Sequence, residues 1–339
     1  MMRQSLLRIA SAWLIVAAVT ATASAQITIA SDEVWDGILN PRSGEGVTLT
    51  GGVYAIPTEL IIGSGATLFL NSGKFEDGGV SPTDDITFEF SPGAGGLTFA
   101  DATSTIDVHN GARFGDAKRF MLNMFDNDIQ GDGQIINGPV KIGQTGDTMS
   151  VEINSNANVS LGAIDTSKKD ALLGNITITA SGAVDIGRLS TSDVVDGGAS
   201  AGNIFVRGSS ITLGDIDTRA FRLDGNADNG NVQLTALAPP SFDPANAADN
   251  RFTSNILTLT GALTTNGPAT TGPNAGGNVN LTGVKVVLES SFSLDLGENG
   301  NSSIRAGVTG NGLSEADLFM DMAGSGLTAS YDVEYIIPE

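Results

Sequence analysis

Gly174-Asn175-Ile176-Thr177-Ile178-Thr179-Ala180 runs into Ala183-Val184-Asp185-Ile186 and then Gly187-Arg188-Leu189-Ser190-Thr191, and the same phrasing then comes round again. Gly-Asn-apolar-x-apolar recurs at Gly202-Asn203-Ile204-x-Val206, Gly230-Asn231-Val232-x-Leu234 and Gly277-Asn278-Val279-x-Leu281, at intervals of 28, 28 and 47 residues. A companion phrase keeps step at Gly162-Ala163-Ile164-Asp165-Thr166, Gly187 to Thr191, Gly214-Asp215-Ile216-Asp217-Thr218 and Gly261-Ala262-Leu263-Thr264-Thr265. Two short strand-like phrases repeating in phase mark a coil that stacks one turn on the next.

Within one coil the pattern predicts strands at 175–179, 183–186 and 189–191, with a long turn over 193–201. Ile176, Ile178, Val184, Ile186 and Leu189 would point inward, matched one coil later by Ile204, Val206, Ile211, Leu213 and Ile216. Each coil offers only a thin apolar stripe, which stacking at roughly 4.8 Å buries against its neighbours. Asn175, Asn203, Asn231 and Asn278 would then form one ladder bonded along the axis, and Thr166, Thr191, Thr218 and Thr265 another. The Gly before each Asn is expected to supply a backbone conformation closed to other residues. The earlier chain has the same grammar with a looser period. Phe120, Leu122 and Met124 are expected to face inward there. About 10 to 12 coils would make a body roughly 50 Å long. The fold expected is all-β, a single right-handed parallel β-helix with a C-terminal cap. Ser314 would cap a short helix running through Leu318, Phe319 and Met320, and a strand would follow through Val333 and Tyr335.

Residues 1–25 read as a secretory signal peptide: Arg3 and Arg8, an apolar run from Ile9 to Val19, and Ala23-Ser24-Ala25 before Gln26. Residues 26–339 read as one β-helix domain, with less regular coils over 26–149, regular repeats over 150–300 and a capping segment over 301–339. No later stretch reaches the roughly 20 apolar residues of a spanning helix, and the chain has no cysteine. The expected location is secreted, extracellular or at the cell surface, with the periplasm as the other compartment. Losing Arg3 and Arg8 takes the formal charge from −21 to −23. So acidic a chain lacks the basic footprint that nucleic acid or an anionic membrane requires.

Catalytic material is sparse. His109, the single histidine, sits at a strand-to-turn junction with nothing nearby to complete a nucleophile constellation. Asp224-x-Asn226-x-Asp228 alternates oxygen ligands as a Ca2+ loop does. Asn229 stands where such a loop places glycine, however, and no acid occupies the twelfth position, so the triplet competes with ordinary turn chemistry. Asp126-x-Asp128 with Asp132, and the pair Asp84-Asp85, are further acidic corners. Between Gly230 and Gly261 lie 31 residues against 13 and 12 in the two preceding coils. The excess falls at Leu237–Asn255 and carries Pro240, Phe242, Arg251 and Phe252, a candidate binding loop. Trp35 is the only tryptophan after residue 25, which gives a platform of stacked aromatics little support.

The phrases Gly174-Asn-Ile-Thr-Ile-Thr-Ala, Ala183-Val-Asp-Ile and Gly277-Asn-Val-Asn-Leu-Thr resemble the repeats of filamentous-haemagglutinin-like and autotransporter passenger proteins, secreted bacterial adhesins built as right-handed parallel β-helices. The likeness is close over 150–300. Neither a C-terminal membrane barrel nor a haemagglutinin-type secretion domain is recognisable, so self-export by those routes is not expected. The resemblance implies a non-enzymatic adhesion or matrix protein; the partners expected are extracellular polysaccharide or a cell-surface protein, with self-association left open. Pectate-lyase-like enzymes share the architecture and supply the alternative, a polysaccharide-active enzyme with a calcium-assisted acidic site. Scattered Lys and Arg and the strong negative charge disfavour an acidic polymer as substrate.

Overall fold

The computed structural model describes residues 26–35, 47–50, 53–71, 86–109, 118–136, 149–167, 174–192, 201–220, 229–236, 256–266, 277–283, 285–289, 291–296, 302–306, 319–321 and 333–335. All regular structure among them is β. The strands form a 16-stranded and an 11-stranded sheet, and every pairing but one is parallel.

A single coil explains the arrangement. Ile176–Ala180 lies in the 11-stranded sheet with Ile176, Ile178 and Ala180 buried and Thr177 and Thr179 turned outward. After Ser181-Gly182 the chain enters the larger sheet as Ala183–Ser190. Val184 and Ile186 are buried, Gly187 and Arg188 are both exposed, and Leu189 is buried again. Two outward residues in succession break the period of two, so the strand bends over a corner at Gly187. The register shows the same break: Ile186 pairs with Leu161 and Leu213, and Arg188 with Ala163 and Asp215, while Gly187 is passed over. Each coil therefore has three sides. The 11-stranded sheet is the first face, and the two arms of the bent strands lie on the second and third. The chain is an all-β parallel β-helix solenoid, and the ten inward residues expected of these two coils are all buried.

One register column on the first face runs Tyr54, Phe88, Leu122, Ile153, Ile178, Val206, Leu234, Leu281, Ile304 and Tyr335. Successive coils thus take 34, 34, 31, 25, 28, 28, 47, 23 and 31 residues. Nine steps of about 4.8 Å make a stack about 43 Å long. Phe120, Leu122 and Met124 are fully buried, as expected. Each fully buried Leu or Ile stabilises the stack by about 1.5–3 kcal/mol.

The repeated glycines have a different cause from the one expected. Among the described residues the glycines with positive φ are Gly65, Gly93, Gly96 and Gly131, none of them in the Gly-Asn phrase. A Cβ added at Gly202, Gly230 or Gly277 would instead run into the carbonyl oxygen of Gly174, Gly202 or Gly230 one coil away. Gly162, Gly187 and Gly214 form a second such column at the corner between the second and third faces. These residues are glycine because successive backbones touch there.

The threonine ladder closes each coil. Thr166, Thr191, Thr218 and Thr265 are fully buried at the end of the third face. Their hydroxyls donate to the carbonyls of Gly174, Gly202, Gly230 and Gly277 at 2.7, 2.6, 2.8 and 3.4 Å. This bond joins the end of the third face to the start of the first across the base of each long turn. The asparagine ladder also runs along the axis, with the backbone as its main donor. The N–H groups of Asn203, Asn231 and Asn278 donate to Oδ1 of Asn175, Asn203 and Asn231 at 2.7, 2.8 and 2.9 Å. One amide-to-amide bond accompanies them, from Asn231 Nδ2 to Asn203 Oδ1 at 3.1 Å.

The two ends depart from the repeats. Thr48–Thr50 folds back antiparallel on Val53–Ile56 and covers the first-face edge. Beneath it Trp35 stacks on Tyr54 with centroids 5.4 Å apart, and Phe88 links both rings to Phe120. At the other end Phe319–Asp321 is a strand, where a helix through Leu318–Met320 was expected. It pairs parallel with Lys285–Leu288, with Met320 in register with Val286. The open sheet edge offers the segment a bonding partner already in place, whereas a single helical turn leaves its end N–H and C=O groups unsatisfied. Ser314 to Leu318 lie outside the described residues, as do residues 1–25. Val333–Tyr335 extends the first face as the expected final strand.

Gly230→Ala should lower stability by about 1–3 kcal/mol, and Thr218→Val by about 1–2 kcal/mol through the unsatisfied Gly230 carbonyl. Gly93→Ala, where an added Cβ meets nothing within 4 Å, should cost only the backbone strain of about 1 kcal/mol. Thermal melts of the three variants provide the check, and a Gly230→Ala protein melting with the parent would contradict the close approach.

Candidate functional site

Parallel register places every outward side chain beside its counterparts one coil up and one coil down. At several corners these neighbours engage each other. Asp128 Oδ1 accepts from Asn158 N–H at 2.9 Å, and Asn158 Oδ1 accepts from Ala183 N–H at 2.9 Å. Asn156 Nδ2 donates to Asp126 at 3.2 Å. The acidic corner at Asp126 and Asp128 thus ties one coil to the next. Asp215 Oδ1 accepts from Ala262 N–H at 2.9 Å. Asp165 and Asp217 accept from the N–H two residues on, at Ser167 and Arg219. Arg219 also grips Asp217 with a fork, Nε at 2.9 Å and Nη2 at 2.7 Å. That carboxylate holds the guanidinium above its ordinary pKa.

Acids on the third face are spaced along the axis. One register row reads Asp107, Ile136, Asp165, Ser190, Asp217, Thr264 and Asp295, with Asp107 and Ser190 buried. Carboxylates fall on alternate coils, about 9.6 Å apart instead of about 4.8 Å, and their repulsion is correspondingly weaker. No group of three or more His, Cys, Asp or Glu able to hold a metal ion occurs among the described residues.

The middle of the first face differs. Its two outward rows read Thr177, Phe205, Gln233 and Thr179, Arg207, Thr235 across three adjacent coils. These six residues line a shallow groove of about 350 Å³. Phe205 is 38% exposed between the polar Thr177 and Gln233. The side chains of Thr177, Thr179, Arg207, Gln233 and Thr235 make no hydrogen bond or ion pair among the described residues. Toward the N-terminal end the same face is self-satisfied: Arg119 pairs with Glu152 at 3.2 Å, and Asn154 donates to Glu152 and Asn123.

Sequence reading had not singled out this groove, although one signal was available. The x of Gly-Asn-apolar-x-apolar is Thr177, Phe205, Gln233 and Asn280, and the phenylalanine is the odd member. Phe125 was missed in a similar way: it is 42% exposed with φ of 50° at the irregular end of its strand. Trp35 is fully buried in the N-terminal ring cluster and offers no surface platform. His109 ends the strand Thr105–His109, and the turn expected after it lies outside the described residues. The calcium candidates Asp224, Asn226 and Asp228, the loop residues Pro240, Phe242, Arg251 and Phe252, and the pair Asp84-Asp85 all lie outside the described residues. The strands flanking the loop end at Ala236 and resume at Ile256. The loop therefore leaves the first face one residue after Thr235 in the groove.

No family model, no curated protein and no solved structure matches the chain.

One acid has a measurable signature. Asp101 lies at a second-to-third-face corner, and its carboxyl is lowered from 3.8 to about 2 by hydrogen bonds, first from the Ser64 hydroxyl and then from the Thr103 hydroxyl and N–H. A depressed carboxylate adds stability that is fully present above its unfolded value and lost as pH falls through the folded one. Melting temperature should therefore decline between pH 4 and about 2, and Asp101→Asn should remove part of that decline. Parallel pH profiles for parent and variant would count against the assignment.

Proposed function

We propose that this is an exported, non-catalytic β-helix protein with an adhesive or matrix-building role outside the cell. Residues 1–25 serve as its signal peptide. Its partners are extracellular polysaccharide or a cell-surface protein, met through the first face and the Leu237–Asn255 loop. A right-handed coil and a capping role for 301–339 belong to the same reading.

One observation carries it. Asp128, Asp165, Asp215 and Asp217, acids of the kind a hydrolytic or lyase site would use, are engaged in bonds between coils or within turns. On the first face the side chains of Thr177, Thr179, Arg207, Gln233 and Thr235, unengaged among the described residues, gather around one exposed aromatic on a flat, rigid sheet. That is the composition of a binding surface, with a few placed polar groups around an apolar contact. Any calcium held by Asp224, Asn226 and Asp228 would brace a turn in this scheme.

The test incubates the purified exported protein with soluble and insoluble polysaccharides, with calcium and with chelator, scoring both retention and newly formed chain ends. Retention without new ends is the expected result. New ends that disappear with chelator would overturn the reading in favour of a calcium-assisted polysaccharide enzyme.

A further inference from the structure

We infer that the Phe205–Arg207 groove is a subsite for one pyranose ring of a glycan that carries isolated carboxylates. The inference rests on the binding role proposed above and deepens it by naming a ligand chemistry.

The dimensions come from the fold. Three coils span two steps of about 4.8 Å, and outward rows two residues apart lie about 6.6 Å from each other. The six side chains therefore surround a patch of about 10 by 7 Å, the footprint of a single sugar ring with its substituents. Phe205 supplies an exposed aromatic surface beside it. A sugar ring has an apolar C–H face that packs on the negative face of an aromatic ring. Its equatorial hydroxyls need partners that both donate and accept. Gln233 offers an amide, and Thr177, Thr179 and Thr235 offer hydroxyls, all without partners among the described residues.

Arg207 sets the charge. Like Arg188 it is exposed and unpaired among the described residues, whereas Arg119 and Arg219 each hold an acid; Arg207 is the one that lines the groove with Phe205. A guanidinium fork fits a carboxylate through two parallel bonds, which gives both strength and orientation. The chain as a whole carries a formal charge of −21, which opposes a polymer with a charge on every ring. Screening over about 8–10 Å leaves a single carboxylate at Arg207 subject mainly to its nearest neighbour. The complementary ligand is thus sparsely acidic. A single cation gives no phosphate-tracking footprint for nucleic acid, and the polar rows on both sides of Phe205 give an apolar peptide nothing to bury against.

The test uses the intact protein and three immobilised glycans: a neutral glucan, the same backbone carboxylated on a minority of rings, and a polyuronate. Retention is compared for the parent, Phe205→Ala, Arg207→Gln and, as a control, Phe125→Ala, whose exposed ring lies outside the groove. Outward positions on a packed sheet should leave the melting temperature of each variant close to the parent's, which is measured alongside. The parent should hold the sparsely carboxylated glucan best and the polyuronate least. Phe205→Ala should weaken both glucans about tenfold. Arg207→Gln should abolish the preference for the carboxylated form and leave neutral binding unchanged, and Phe125→Ala should bind as the parent does. Retention of the parent with no change in Phe205→Ala or Arg207→Gln would overturn this inference while the binding role stands. Preference for the polyuronate would overturn it too, as would binding of a protein partner with no glycan retained. Cleavage of the glucans would instead overturn the binding role itself.

Discussion

The backbone hydrogen bond that runs from each strand to the strand one coil away is the constraint on which the rest of this structure depends. It holds parallel neighbours about 4.8 Å apart, so like positions must stack. A residue in this chain is never placed once. Each choice is repeated against itself, and side chains that tolerate self-stacking are favoured at every position. Ile and Val do so in the core, Asn does so at the entry to the first face, and Thr does so where the coil closes. Where backbones approach most closely, only hydrogen fits, and two glycine columns result.

The same constraint explains how an acidic chain stacks without flying apart. Carboxylates on the third face skip every second coil, and those at the corners accept N–H bonds from their neighbours. Closure by the threonine hydroxyl has a further consequence. The long turns leave and rejoin the stack at two fixed points, so their length can vary without shifting the strands. The separations from Thr166 to Gly174, Thr191 to Gly202 and Thr218 to Gly230 are 8, 11 and 12 residues, yet the same Thr–Gly bond closes each of them. The large insertion at 237–255 uses another corner, and the strands on both sides of it keep register with the coils before and after. A scaffold of this kind can carry variable binding elements on an invariant frame.

Much of this was legible in the sequence because the repeat makes each coil a copy of the next. The inward residues and both ladders could be read from the phrases at Gly174, Gly202 and Gly230, and so could the three sides of the coil, although the two strands expected at 183–186 and 189–191 are one strand bent at Gly187. Other features lie where repetition fails. The antiparallel strand Thr48–Thr50 and the ring cluster at Trp35 form an end, and an end has no second copy to reveal it. Phe319–Asp321 carried a local helix signal from Ser314, which the open sheet edge overrode. The glycine columns were seen, but their cause was not, because backbone contact between coils has no signature within one coil. The groove at Phe205 needs three coils side by side, and only its odd phenylalanine shows in a single phrase.

Hydrogen exchange of backbone amides tests the central claim most directly. If coil stacking governs the fold, the N–H groups of Asn203, Asn231 and Asn278 will exchange slowly. Each donates to the asparagine one coil away although its own side chain lies at the surface. Protection should be greatest in the strands at 204–208 and 232–236 and fall toward both ends of the stack. Exchange of these three amides at the rate of an open chain, with protection confined to isolated strands, would contradict the account.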